Sequence, residues 1–224
     1  MWNKKACLVL ILLAGCFIPL VAAPKEKPKA ELDSVAYHGT FISTNLVSAA
    51  QMALGQNGGL NLQADVNLYN RFNPCIELGY APFSLKHESG TSSHGQGFYG
   101  KLGLNMPISK YGPHAESQYF GGVRYAYSRF AYRLEDAQFS ESYWGEAYSH
   151  SYFNEKAGAH WFEIHVGMRT KVLGPITLGW TLTMKKRLAI ENAAHSAPAF
   201  IPGYGENRET NYGFLFNLYY LLPF

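Results

Sequence analysis

Residues 60–70 read Leu-Asn-Leu-Gln-Ala-Asp-Val-Asn-Leu-Tyr-Asn. In an extended chain, where successive side chains point to opposite faces, Leu60, Leu62, Ala64, Val66 and Leu68 share one side, and Asn61, Gln63, Asp65, Asn67 and Tyr69 share the other. A helix would scatter these residues around its circumference, so the stretch is a strand with one apolar and one polar face.

The same period of two recurs through the chain. Thr40, Ile42, Thr44 and Leu46 alternate with Phe41, Ser43 and Asn45, and Ile76, Leu78 and Tyr80 with Glu77, Gly79 and Ala81. Phe98, Gly100, Leu102 and Leu104 alternate with Tyr99, Lys101, Gly103 and Asn105. Tyr119, Gly121, Val123, Tyr125 and Tyr127 alternate with Phe120, Gly122, Arg124, Ala126 and Ser128. Phe162, Ile164, Val166 and Met168 oppose Glu163, His165, Gly167 and Arg169. Ile176, Leu178, Trp180, Leu182 and Met184 oppose Thr177, Gly179, Thr181, Thr183 and Lys185. The last strand puts Tyr212, Phe214, Phe216, Leu218, Tyr220, Leu222 and Phe224 on one face.

Short turns are expected at 70–73 and 173–175, a middling connection at 107–117, and long polar loops at 47–58, 86–97, 131–159 and 190–209. Short and long connections alternate, the rhythm of an outer-membrane barrel with turns in the periplasm and loops outside. The expected fold is all-β: an eight-stranded antiparallel up-and-down transmembrane β-barrel.

A soluble lipocalin-like barrel has the same period, so the chemistry of the two faces decides between them. One face is Leu, Ile, Val, Met, Phe, Tyr and Trp. The other carries Asp65, Glu77, Lys101, Arg124, Glu163, His165, Arg169 and Lys185 among Gly, Ser, Thr and Asn. A lipocalin is apolar inside, whereas these strands are arranged for an apolar exterior in lipid and a lumen filled by paired charges. Closure is required there, because an unsatisfied backbone group in hydrocarbon costs several kcal/mol. Tyr69, Tyr119, Phe130, Trp161 and Tyr220, near strand ends, are expected to form interfacial girdles. Tyr220, Leu222 and Phe224 at the C-terminus look like the strand signal read by the barrel-assembly machinery of Gram-negative bacteria.

Composition fits this reading. Of 224 residues only 16% are Asp, Glu, Lys or Arg while 15% are aromatic, so aromatic content has replaced charge. A net charge of +3 is too small for a nucleic-acid binder. Three cysteines exclude a multi-disulfide scaffold, and Cys75 has no intramolecular partner once the leader is gone.

Residues 1–22 read as an export signal, with basic Lys4 and Lys5, an apolar run from Ala6 to Leu20 and a small-residue end. A second possibility is a lipoprotein signal, since Leu13-Ala14-Gly15-Cys16 looks like a lipobox that would leave a lipidated Cys16 as the first residue. Residues 23–34, with Pro, Lys and Glu, form a flexible periplasmic linker, and 35–224 form the barrel.

Several segments are more specific than a generic barrel. Gly121-Gly122-Val123-Arg124-Tyr125, Ala159-His160-Trp161-Phe162-Glu163, Met184-Lys185-Lys186-Arg187-Leu188, Phe200-Ile201-Pro202-Gly203-Tyr204 and Tyr219-Tyr220-Leu221-Leu222-Pro223 resemble an uncharacterised Bacteroidota family of small outer-membrane barrels, classed as a domain of unknown function. The likeness runs from about Tyr37 to Phe224 and implies a fold but no reaction or ligand. Where the family has an Arg-Leu-Gly-Val-Asp-like first strand this chain has Phe41-Ile42-Ser43-Thr44-Asn45, which leaves an arginine and an aspartate of the interior network missing or relocated.

No reaction is expected. His160 and His165 face opposite sides of their strand, and no metal-ligand spacing surrounds His114, His150 or His195. Glu146, Ser149, His150 and Ser151 are adjacent in a loop, but adjacency does not supply triad geometry, and no Gly-x-Ser-x-Gly occurs. Lys185-Lys186-Arg187 suits contacts at the level of lipopolysaccharide. No cofactor or metal is expected. The partners are outer-membrane lipid and lipopolysaccharide, the assembly machinery and other envelope proteins. The expected role is structural or accessory binding, with a narrow solute channel or an outer-membrane hydrolase as rivals.

Overall fold

In the computed structural model the described residues are 36–86, 91–108, 117–140, 147–191 and 196–222, with side chains described at all of these except 136–140 and 147–150. The chain forms β1 (Tyr37–Asn45), α1 (Leu46–Ala53), β2 (Leu60–Leu68), β3 (Asn73–Lys86), β4 (Ser92–Pro107), β5 (Ser117–Ser140), β6 (Ala147–Leu173), β7 (Ile176–Glu191), β8 (Phe200–Ile201), β9 (Gly205–Glu206) and β10 (Thr210–Leu221). β1 to β7 and β10 are antiparallel to their neighbours and form a ring. The ring is closed by β1 against β10, from Phe41↔Leu221 to Asn45↔Asn217. First-to-last pairing removes the free sheet edges that an open sheet would present.

The two faces of each strand have opposite fates. Leu62, Leu78, Phe98 and Leu102 are each at least 60% exposed on the outside, while Asp65, Glu77, Lys101, Arg124, Glu163, His165 and Arg169 point inward and are buried. The outward positions from Met106 to Phe98 on β4, Tyr119 to Tyr127 on β5, Ile176 to Met184 on β7 and Tyr220 to Tyr212 on β10 carry no charge. Each run spans about eight residue steps, or about 27 Å along a strand and about 21 Å along the barrel axis at a tilt of about 40°.

The start of β1 and the end of β10 lie at the same end of the barrel as the β2–β3 and β6–β7 turns. Tyr69 and Asn70 both have φ 53° in the first of these turns, where Phe72 N–H and Arg71 N–H donate to Leu68 O. The opposite end carries α1, the extended β5–β6 hairpin and residues 196–209, and here the structure departs from the expected loops. Residues 47–58 contain α1, started by the Asn45 side chain, which accepts from Val47 N at 3.1 Å and Ser48 N at 3.3 Å and so ends β1 one residue before Leu46. Residues 92–97 belong to β4, and β5 and β6 continue through most of 131–159 as a long hairpin out to Ser140↔Ala147. Register shifts between Tyr132 and Leu134 and between Leu134 and Ala137 break the simple alternation that would have revealed it.

Two expected girdle residues are inside. Phe130 and Trp161 share the inward parity of Arg124 and Glu163, and Trp161 is completely buried. They belong to an apolar cluster with Phe83, Tyr132, Ala157, Ile201 and Tyr204. Residues 196–209, expected as part of a polar loop, thus fold back over the lumen as a cap. The Trp161 and Tyr204 rings meet edge-on at 5.5 Å, and Phe83 and Phe200 lie 5.1 Å apart. Tyr132 Oη donates to Ser196 O at 2.7 Å, Asn207 Nδ2 donates to Pro198 O at 2.7 Å, and Arg187 and Asn207 side chains are hydrogen-bonded. The Tyr204 hydroxyl lies 2.8 and 2.9 Å from the carbonyls of Arg208 and Glu209, and burial pushes its phenol above the usual range.

Gly203 lets the cap seat. Its φ is +78°, and a Cβ there would lie 2.5 Å from Cγ of the Tyr99 ring. Gly203→Ala is therefore expected to lift the cap and open residues 196–209 to protease, while the rest of the barrel keeps its protease resistance; unchanged cleavage would show that the cap does not depend on this contact.

Candidate functional site

The dense polar constellation inside the ring is layered. In the middle layer, Lys101 Nζ lies 3.3 Å from Glu77 Oε2 and 3.2 Å from Glu163 Oε1, and Arg124 Nη1 lies 3.1 Å from Glu77 Oε2. The register puts Glu77 opposite Lys101 and Arg124 opposite Glu163, so four adjacent strands deliver these charges to one level. Neutral donors add to these ion pairs, while Glu163 Oε2 has no hydrogen-bond partner among the described residues. Asn61 Nδ2 donates to Glu77 Oε1 at 3.0 Å, and Trp161 Nε1 donates to Glu163 Oε1 at 2.8 Å. Two acids face two bases, the balance that burying charge in a narrow lumen demands.

Toward the end that holds the start of β1 and the end of β10, Asp65 accepts from Gln63 Nε2 at 3.0 and 2.9 Å and from Asn105 Nδ2 at 2.9 Å. Asn105 Oδ1 in turn lies 2.6 Å from His165 Nε2. Because that oxygen accepts, the imidazole carries its proton on Nε2 in this arrangement. Arg169 has no ion pair among the described residues. Its Nε donates to Gln118 Oε1 at 2.6 Å, and its guanidinium lies 4.0 Å from the Phe41 ring centroid and 5.7 and 5.8 Å from those of Phe120 and Tyr219. Phe41, at the first-strand departure from the resembled family, thus supplies a π-face to this arginine.

Lys185 lies opposite Glu163 in the register, but its ammonium turns to the cap. It is half-buried, and its ammonium donates to the carbonyls of Gly203 at 2.7 Å and Tyr204 at 3.1 Å, tying the cap to the wall. The eight inward residues read from the sequence therefore form a charge quartet, an Asp65–Asn105–His165 chain, an aromatic-held Arg169 and a cap anchor. Asn61, Gln63, Asn105, Gln118, Tyr99 and Trp161 complete them. All six have inward parity, but a list of charges passes over them. Tyr220 points outward and is exposed, and Leu222 is half-buried just past β10.

A family described as a domain of unknown function (DUF6048) matches residues 4–224. The chain belongs to that family. The match begins well before Tyr37, the start of the resemblance seen in the strands. No curated protein matches the chain. Among solved structures, a major outer membrane protein from Thermus thermophilus is 10% identical, over 83% of this chain and 100% of that one, with a TM-score of 0.49. Ail, the attachment invasion locus protein of Yersinia pestis, solved with the heparin analogue sucrose octasulfate, is 8% identical over 82% of this chain and 93% of that one, with a TM-score of 0.35.

Other sequence candidates do not join the lumen set. His160 faces outward, with Nδ1 2.6 Å from Tyr125 Oη. Cys75 is buried and free. Among the described residues no group of three or more His, Cys, Asp or Glu is placed to hold a metal ion. Cys16, the 23–34 linker, His114, Glu146, His195 and Phe224 lie outside the described residues, as do the side chains of Ser149 and His150.

Removing one member of the quartet leaves a buried charge without its counter-ion. Lys101→Met is expected to destabilise the barrel by about 3–5 kcal/mol, and adding Glu163→Gln to recover a large part of that loss. Urea unfolding in detergent or vesicles measures both. A double variant no more stable than the single one would contradict a direct Lys101–Glu163 coupling.

Proposed function

We propose that the chain is exported and inserted in the bacterial outer membrane as an eight-stranded barrel, where it serves as a structural or accessory binding subunit of the envelope and not as an enzyme. One observation carries this: a continuous apolar belt surrounds a ring whose charges are turned inward, the inverse of a barrel that lives in water. The belt height of about 21 Å suits the roughly 25 Å apolar band of such barrels. In this placement the start of β1, the end of β10 and the short turns face the periplasm, and the cap and the long β5–β6 hairpin face outward. The partners are outer-membrane lipid and lipopolysaccharide around the belt, the assembly machinery during insertion, and other envelope proteins at the hairpins. The lumen is a structural plug, because its middle charges are engaged with one another and the cap covers them.

Unboiled protein from a detergent-extracted outer-membrane fraction is expected to migrate faster than boiled protein and to give no ion-conductance steps in a planar bilayer. Recovery in the soluble fraction without a mobility shift would overturn the membrane placement, and steady conductance steps would replace the plug by a narrow channel. Depth supplies an independent test. Leu102 is central in the β4 belt run, and Leu188 lies beyond the β7 run. Leu102→Arg is expected to cost about 2–4 kcal/mol in vesicles and Leu188→Arg about 0–1 kcal/mol. Equal costs would contradict the proposed belt.

A further inference from the structure

Just beyond the belt, at the cap end, the outer wall carries basic side chains, and three of them are neutralised within the protein. Lys186 pairs with Glu209 and holds that carboxyl below the usual range. Arg133 pairs with Glu135 at 3.0 Å and Arg208 with Glu206 at 2.6 Å. Arg129 on β5 and Lys156 on β6 are exposed and have no ion pair among the described residues. Arg129 is two residues past Tyr127, the last apolar position of the β5 run.

The register brings these two cations together. Arg129 lies opposite Gly158, and Lys156 opposite Ala131, so they are diagonal neighbours on one face. Diagonal positions are about 7–8 Å apart. One phosphate accepting a charge-assisted bond of about 2.8 Å from each side chain fits that separation. Gly158, opposite Arg129, is buried: a Cβ there would meet Glu191 Oε2 at 3.0 Å and Tyr127 Oη at 3.5 Å, so a carboxylate and a phenol cover it beside the two cations. Below Gly158 the His160 ring lies tilted against that of Tyr127, with centroids 4.6 Å apart, and leads into the apolar belt.

We propose that Arg129 and Lys156 form a site for the phosphate of an outer-leaflet lipid headgroup, whose acyl chains lie against the belt below. The inference rests on the membrane placement above. The belt directly under the two cations selects an amphiphile over a free anion, and the Glu191 carboxylate limits the net charge of the site.

The probe is a diphosphorylated, acylated glucosamine disaccharide, with its dephosphorylated form as control, bound to the full mature chain in a neutral detergent and counted by native mass spectrometry. The wild type is expected to prefer the phosphorylated form by about tenfold or more. Arg129→Gln with Lys156→Gln should abolish that preference, Arg208→Gln should leave it, and Glu191→Gln should raise it. Equal binding of both lipids, a preference surviving in the double variant, or displacement by inorganic phosphate at comparable concentration would overturn the proposal. The boiled-versus-unboiled gel shift, run on each sample, separates these outcomes. Any of them in protein that keeps the shift removes the lipid site alone, whereas a wild type without the shift removes the barrel placement and the site with it.

Discussion

The interior is governed by the width of an eight-stranded ring. Such a ring has room inside for side chains only, so a charge turned inward loses its water and needs a partner across the lumen. Lys101 meets that demand by lying within 3.3 Å of two carboxylates, Glu77 and Glu163, and Arg124 completes the set through Glu77. These four residues come from β3, β4, β5 and β6. Slipping any of those strands by one residue would turn its charge to the outside and an apolar side chain into the lumen. The quartet therefore specifies register as much as it contributes stability.

The remaining inward charges solve the same problem in other ways, each setting a different piece of the architecture. Asp65 is satisfied by amides from Gln63 and Asn105. Arg169 lies among three aromatic rings, which tolerate a weakly hydrated guanidinium where an ammonium would fare worse. Lys185 has carbonyl oxygens as acceptors, and those oxygens belong to the cap. That charge thus holds the cap down, and the apolar cluster around Trp161 seals the contact.

The strands and the inward set are legible from period two alone, since alternation fixes both the element and its two faces. The same parity also placed Phe130 and Trp161 inside. Assigning them to an outer girdle weighed their aromatic character and nearness to strand ends above the face they share with Arg124 and Glu163. What parity does not encode is how far a strand runs past its regular stretch. The β5–β6 hairpin continues through two register shifts, each of which resets the pattern. The cap was illegible for a different reason. Pro198, Ile201, Pro202 and Tyr204 have no local period, and they are buried only because strands distant in sequence supply Phe83, Tyr99 and Trp161 beneath them. The phrase Phe200-Ile201-Pro202-Gly203-Tyr204 stood out as a resemblance without its purpose being readable.

Charge is treated differently inside the ring and on its outer rim, and that difference locates the surface available for recognition. Inside, the described charges are held by ion pairs, amides, rings or the cap, so binding a solute there would have to displace partners already in place. At the rim, solvent screens each side chain, and an uncompensated cation costs the fold little. Arg129 and Lys156 can therefore stay unpaired without destabilising the barrel, as the inward charges cannot. A protein built this way keeps its interior for its own stability and leaves its outer wall and outward hairpins to meet whatever lies around it.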